Sequence, residues 1–577
     1  MRTPSKTAAA ALAALFLFSC GSKDAAPAKT RAENAADKVF YGGVIYTGLA
    51  EPRTVEAVAV KDGRISAIGA EALIDQTADE KTERIDLKGA AMYPGFVDSH
   101  AHLLGIGMRE LTLNLEGVSS IDELVDIVSA TAQETKEGDV IYGRGWIETG
   151  WPEKRFPNRH DLDQASADHP IVLFRADGHA LVANSAAIEK AGVTDETPDP
   201  EGGRIERDEN GAATGMFIDN AMNLIAPLIA APDDAKKREA YATGAEVYAD
   251  YGWTGLHNMS VDPNDLPIMI DEAKTGDIGI RIYNAIDQSG FNALAKDAPE
   301  IDGTGRIITR AVKLYMDGAL GSRGASLDAP YSDQPDTSGL MLLKHDEALP
   351  IFEKALRDGV QICVHAIGDK GNRLLLDWFA EAFAAVPPEE RKVKDPRWRD
   401  EHSQILHVDD IKRFKQLGII ASMQPSHAIG DFYFAPARLG EARLDGAYAW
   451  ESLLKAGAVV AGGSDAPVER GDPRIEFYAA VARKDLQGNS GPDWRPEEKV
   501  TRDQALAMFT SAPAYASFQE NDLGAIEPGK KADFTVFSED IMTIPEAEIL
   551  KVEPVMTVVD GEIVARGDAD EDDGGSQ

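Results

Sequence analysis

Between residues 91 and 466 the chain repeats one pattern, a short apolar run followed by a longer stretch with helical spacing. The runs are residues 91–98, 252–260, 278–286, 311–318, 360–369, 398–404, 419–427 and 459–466. Short runs rich in Val and Ile that alternate with helices are the mark of βα units and a parallel sheet. Eight of them predict an α/β protein whose strands close into a (β/α)8 TIM-like barrel. An open doubly wound sheet is the rival solution, but no glycine-rich phosphate loop follows the first run. In such barrels the chemistry gathers where strands end, so the residues closing each run are the ones to inspect.

The two chain ends read differently. Residues 39–47 and 55–69 are Val-, Ile- and Tyr-rich, with Asp62-Gly63 as a hairpin turn. Residues 532–537 and 555–566 repeat the pattern around Asp560-Gly561. Residues 37–90 and 519–567 are therefore expected to pair into one small β domain beside a barrel of residues 91–518. The gap between the first two strands is long. Residues 238–251 read as the helix entering strand two, which leaves 103–232 as an α/β insertion after strand one, placed over the C-terminal face of the barrel. Trp146 and Trp151 are read as its core.

Lys and Arg number 59 against 97 Asp and Glu, a net charge of -38. That balance repels phosphate backbones and excludes nucleic acid as the natural partner. The excess acid serves solvation. Two cysteines exclude a disulfide scaffold, and Cys363, inside an apolar run, reads as a buried inert thiol. Arg2 and Lys6 precede an apolar run at 8–18 that is too short to span a bilayer and suits a signal peptide. Leu17-Phe18-Ser19-Cys20 resembles a bacterial lipobox. It implies a signal peptide at 1–20, lipidation of Cys20, a flexible tether at 21–36 and an extracytoplasmic lipoprotein held at the membrane. A soluble secreted or periplasmic protein is the alternative. The acidic, glycine-rich residues 568–577 read as a disordered tail. A homodimer is left open.

The histidines carry the chemistry. His100-Ala101-His102 follows the first run, and alternate residues on a strand share a face, so two imidazoles can converge on one metal ion. Lys313 lies on strand four, His365 ends strand five, His402 lies on strand six, and Asp465 ends strand eight. Taken singly, His365 and His402 read as core histidines; on consecutive strands, with Asp465 at the eighth, they read as ligands.

These stretches, PGFVDSHAH (94–102), VKLYMDGALGSRGA (312–325), HAIGD (365–369), EHSQ (401–404), SMQPSH (422–427) and GSDAPVE (463–469), together with LGAIEPGKKADFTVF (523–537), resemble the amidohydrolase superfamily. The branch they resemble is amidohydrolase-3, that of YtcJ-like proteins and N-substituted formamide deformylases. The resemblance implies a barrel beside a β-sandwich built from both chain ends, and a divalent metal centre, usually Zn²⁺, with one or two ions. It implies that His100 and His102 ligate the more buried metal. Lys313, carboxylated on its amine, would bridge two metals, and His365 and His402 would bind the second. Asp465 would be both ligand and general base.

Neutral imidazoles and carboxylates suit zinc and leave a position open for water. The metal lowers that water's pKa toward about 7 and polarises a carbonyl. An unmodified Lys ammonium has no lone pair, so bridging requires the carboxylated form; a salt bridge to Asp317 or Glu401, with a mononuclear site, is the alternative. His179, in the Asp177-Gly178-His179 motif, is expected either to line the substrate pocket or to make a structural hydrogen bond. Arg323 is expected either to bind a substrate carboxylate or to brace its loop. His257 and His427 match no ligand role. The predicted activity is hydrolysis of a linear amide, N-acyl or N-formyl, on a small-molecule substrate. Cyclic-amide hydrolysis and deamination are the alternatives within the enzyme class, and a surface-displayed binding lipoprotein is the alternative outside it.

Overall fold

A computed structural model describes residues 35–567 except 137, 201 and 492–493. The expected signal peptide with Cys20, the expected tether up to residue 34 and the acidic residues 568–577 lie outside the described residues. No described helix is long and apolar enough to cross a membrane.

Eight parallel strands form the barrel wall. They are β1 (Phe96–Ala101), β2 (Trp253–Val261), β3 (Arg281–Ile286), β4 (Ile307–Tyr315), β5 (Gln361–Ala366), β6 (Arg399–His402), β7 (Ile420–Met423) and β8 (Val459–Gly462). Each pairs in parallel with the next. Covered by helices outside and filled by side chains inside, these strands are buried on both faces; all six residues of β3 and all six of β5 are buried. That is why the sequence shows continuous apolar runs and not alternation. Helix Asp234–Tyr251 leads into β2 as expected. Helices His345–Asp358 and Ile411–Leu417 lead toward β5 and β7, and each ends on a left-handed glycine, Gly359 at φ 79 and Gly418 at φ 69. Glycine adopts that conformation without a Cβ penalty, so the chain can turn sharply back toward the barrel.

The first expected strand is divided. Ala91–Pro94 belongs to the small terminal sheet, and barrel strand β1 starts only at Phe96. Gly95 is the joint: its N–H donates to Asp533 O at 2.8 Å, and a Cβ there would stand 2.4 Å from Thr254 Oγ1. One apolar run thus serves two sheets, which periodicity cannot reveal. The run at 419–427 also stops early, since Pro425–Asp431 is helical and carries His427.

Strands from both chain ends make one eight-stranded sheet. Its seam is Phe534–Phe537 antiparallel to Ala91–Pro94. Phe40 and Val58 from the N-terminal arm pack with Phe534 and Val558 from the C-terminal arm. The Phe40 and Phe534 rings meet edge to face at 5.3 Å. The sheet docks on the barrel through Phe537, 5.8 Å from Phe96, and through a buried ion pair in which Arg281 Nε and Nη2 reach Asp533 at 2.6 and 2.9 Å.

Between β1 and β2 the insertion builds a six-stranded sheet of its own, spanning Leu113–Asn114 to Ala213–Asp219. Trp146 and Trp151 are in its core, donating through Nε1 to Leu173 O at 3.0 Å and Val118 O at 2.8 Å. Arg144, Arg175, Asp177 and His179 from this insertion line the cavity at the barrel mouth.

Candidate metal centre

The barrel closes through hydrogen bonds at the site itself. Between β8 and β1, Ser99 Oγ donates to Gly462 O at 2.6 Å and Ser464 N to Asp98 Oδ1 at 2.9 Å. His102 N donates to Ala466 O at 2.8 Å. A Cβ on Gly463 would stand 2.6 Å from His100 N, so only glycine allows the two strands to approach this closely.

Strand alternation sends His100 and His102 to the same side of β1's end. Their rings are 5.5 Å apart. His402 comes within 4.8 Å of His100 and 4.6 Å of His365, ring to ring. Ligand atoms of His100, His402 and Asp465 all lie within 4.8 Å of one another. Lys313 Nζ is 3.2 Å from His100 Nε2, and no ion pair holds it among the described residues. Neither sequence candidate for such a pair takes that part. Glu401 faces His100 and Arg399, and Asp317 accepts from the backbone N–H of Ser326, Ile367 and Gly368 at 2.7, 2.9 and 2.8 Å. His100, His102, Lys313, His365, His402 and Asp465 thus line one cavity of about 670 Å³.

The outer contacts fix how the imidazoles point. His100 Nδ1 donates to Glu401 Oε2 at 2.7 Å, His102 Nδ1 to Met259 O at 3.1 Å, and His402 Nδ1 to Gln424 Oε1 at 2.8 Å. A neutral imidazole that spends its proton on Nδ1 keeps a lone pair on Nε2. Burial, reinforced by the nearby Lys313 charge, lowers His100 to about 4. Burial likewise carries His365 and His402 well below the ordinary imidazole range, with neighbouring His402 and His100 respectively adding to it. All three are neutral at pH 7.

His102 Nε2 stands 3.0 Å from Asp465 Oδ1, and His100 Nε2 stands 3.4 Å from the same atom. Lone pairs facing a carboxylate at that range repel unless a cation sits among them. His365 Nε2 is buried without a hydrogen-bond partner. The donor set, imidazole nitrogens plus one carboxylate, fits a divalent cation of the zinc kind. His402 at φ 79 and Asp465 at φ 63 occupy the left-handed region. Each such residue costs about 1–3 kcal/mol, a strain typical of functional sites held in place by their surroundings.

Behind the ligands lies a layer the sequence reading largely missed. Burial favours the neutral form of Glu401, but the Arg399 guanidinium, the His100 hydrogen bond and the nearby Lys313 charge together outweigh it and hold the carboxyl well below the usual range. Arg399 Nε is 2.6 Å from Glu401 Oε1, and Arg399 also contacts Ser422 Oγ at 2.8 Å and His257 Nδ1 at 2.7 Å. The only sequence signal was that Glu401 precedes His402 on a strand and so turns to the opposite face.

His179 lines the cavity and donates through Nδ1 to Asp219 Oδ1 at 2.7 Å. Burial opposes its charged form, yet the Asp219 carboxylate raises its pKa. Arg323 is the expected site residue that the structure leaves apart: it does not line the cavity, and Asp333 holds its Nε and Nη2 at 3.2 and 2.8 Å. The loop-bracing alternative describes it. Cys363 is buried and free, and burial pushes its thiol far above the ordinary value.

Comparison with known proteins agrees with this geometry. A family model described as the amidohydrolase family matches residues 83–565. The chain is 33% identical over 532 residues to the Bacillus subtilis (strain 168) protein YtcJ, assigned by name to the amidohydrolases, covering 91% of this chain and 99% of that one. It is 27% identical over 521 residues to the N-substituted formamide deformylase of Arthrobacter pascens, covering 88% and 94%. Among solved structures, an uncharacterized metal-dependent hydrolase from Pyrococcus horikoshii OT3 superposes with a TM-score of 0.71 at 27% identity, covering 88% of this chain and 99% of that one. The strand-end histidines and the extent of these matches lead to one conclusion: the chain belongs to the amidohydrolase family and is a hydrolase acting on carbon–nitrogen bonds.

Proposed function

We propose that this protein hydrolyses linear amides, N-acyl or N-formyl, with His100, His102, His365, His402 and Asp465 holding divalent metal, zinc by the chemistry of the donor set. Lys313, if carboxylated on Nζ, would supply an anionic oxygen donor to the metal. The observation that carries this reading is the meeting of His100, His402 and Asp465 ligand atoms within 4.8 Å. When bound, the metal supplies Lewis acidity and lowers the pKa of water toward about 7.

The protein's own groups do the rest. Asp465 accepts a proton from the attacking water as its oxygen adds to the amide carbon. The same carboxyl then returns that proton to the nitrogen as the C–N bond breaks, releasing a carboxylic acid and an amine. Glu401, Met259 O and Gln424 keep the imidazoles of His100, His102 and His402 in the required tautomer. His179, held by Asp219, contacts substrate from the insertion side.

The test is metal-to-protein stoichiometry for wild type and Lys313→Ala, with turnover of N-formyl, N-acyl and cyclic amides. About two metals falling to one or none, with loss of linear-amide hydrolysis, supports the assignment. An unchanged count removes the bridging role. Bound zinc with no turnover across the panel favours the binding-protein alternative.

A further inference from the structure

The insertion wall of the cavity presents two arginines on adjacent strands, and they are treated very differently. Arg175 holds Glu148 at 2.8 and 3.2 Å and is also paired with Asp177. Arg144, half-buried on strand Ile141–Trp146, forms no ion pair among the described residues. Its guanidinium makes one hydrogen bond, Nη2 to Ala176 O at 2.8 Å, and its Nε is buried without a partner. Asp177, on the same wall, is occupied elsewhere: Oδ1 accepts from His179 N at 3.0 Å and Oδ2 is bound by Arg175. The other arginines lining the cavity are neutralised, Arg109 by Glu110 at 2.8 Å and Arg470 by Glu116 at 2.6 Å.

A guanidinium does not shed its proton, and a charge withdrawn from water without an anion is costly. Gly178 lies against the group; a Cβ there would come within 3.2 Å of Nη2, so the wall is thinned where the cation sits. Glu116, Asp431, Glu469 and Asp485 line the same cavity. One uncompensated guanidinium in that company matches a singly charged anion and disfavours a dianion.

We propose that Arg144 binds a carboxylate carried by the substrate, so that the preferred substrates are N-acyl or N-formyl amino acids and not neutral amides. The proposal deepens the hydrolase reading and rests on it for the bond cleaved. It also moves carboxylate recognition from Arg323, which Asp333 occupies, to a residue on the insertion.

The test compares racemic N-acetylphenylalanine with N-acetylphenethylamine, which differ only in the carboxylate, using the metal-loaded enzyme. Wild type should favour the acid in kcat/KM by at least about tenfold. In Arg144→Ala and Arg144→Gln the ratio should fall to about one through KM, and Arg144→Lys should keep part of it. Either neutral variant suffices if the other does not fold. A wild type without preference, or a neutral variant that keeps the wild-type ratio, overturns the proposal. If wild type hydrolyses neither compound, the N-acyl part of the proposed function fails on its own, and calorimetric titration with N-acetylphenylalanine decides the anion site. Binding lost in Arg144→Ala supports it; no binding to wild type, or equal binding to the variant, overturns it.

Discussion

The backbone N–H of Asp465 donates to the carbonyl of His100 at 2.6 Å. The bond links the last barrel strand to the first at the two residues whose side chains face each other across the site. Closure of the barrel therefore also brings the proposed metal ligands together, and changes here separate chemistry from folding.

Asp465→Asn should lower kcat on the best amide substrate by roughly 10²–10⁴-fold, the usual contribution of a positioned general base. The left-handed φ of 63 at this position is tolerated by Asn. Thermal denaturation of the metal-free variant should therefore match metal-free wild type, whereas Asp465→Ala should melt lower. A variant that keeps full turnover would remove Asp465 from the mechanism.

Glu401 is fully buried between His100 and Arg399. Glu401→Gln leaves the Arg399 guanidinium buried without its anion, which should destabilise the fold by about 3 kcal/mol. Metal affinity should fall roughly 10–100-fold as His100 loses its tautomer control. Denaturant titration and competition with a chelator measure the two effects separately. Stability and affinity both equal to wild type would show that the ion pair is dispensable.

The terminal sheet should loosen in acid. Burial raises the Asp560 pKa, but Arg281, with Lys531 and Arg306, more than compensates, so the folded value lies below the ordinary carboxylate value. A folded pKa below the unfolded one stabilises the protein above the unfolded value, and the gain is lost as pH falls through the folded value. Asp560→Asn should thus melt below wild type at pH 7, and the gap should narrow as the pH falls below the ordinary carboxylate value and Asp560 of the folded protein takes up its proton. A gap independent of pH would assign the effect to packing.

For localisation, Cys20→Ser should release the protein from the membrane fraction into the soluble extracytoplasmic fraction if Cys20 carries lipid. Fractionation and immunodetection read this directly. A variant that stays with the membrane would overturn the lipoprotein reading.

Much of the site was legible because strand ends are a local property. A strand's alternation fixes which side chains share a face, so His100 and His102 were paired by covalent geometry alone. The eight apolar runs announced the barrel because parallel strands buried on both faces must be apolar throughout. The same logic failed where one run served two structures. Nothing periodic divides Ala91–Pro94 from Phe96–Ala101; the division at Gly95 is imposed by Asp533 and Thr254, which arrive from distant parts of the chain. His427 lay in an apolar run that turned helical at Pro425.

What the sequence by itself determined is the inventory: the strands, their order, and the types of donor standing at their ends. The tertiary structure decided the partners. It gave Arg323 to Asp333, paired Glu401 with Arg399 and not with Lys313, and left Arg144 facing the cavity with no ion pair among the described residues. Donor type is written in covalent structure residue by residue, whereas compensation of a buried charge depends on contacts of about 3 Å that exist only once the barrel has closed.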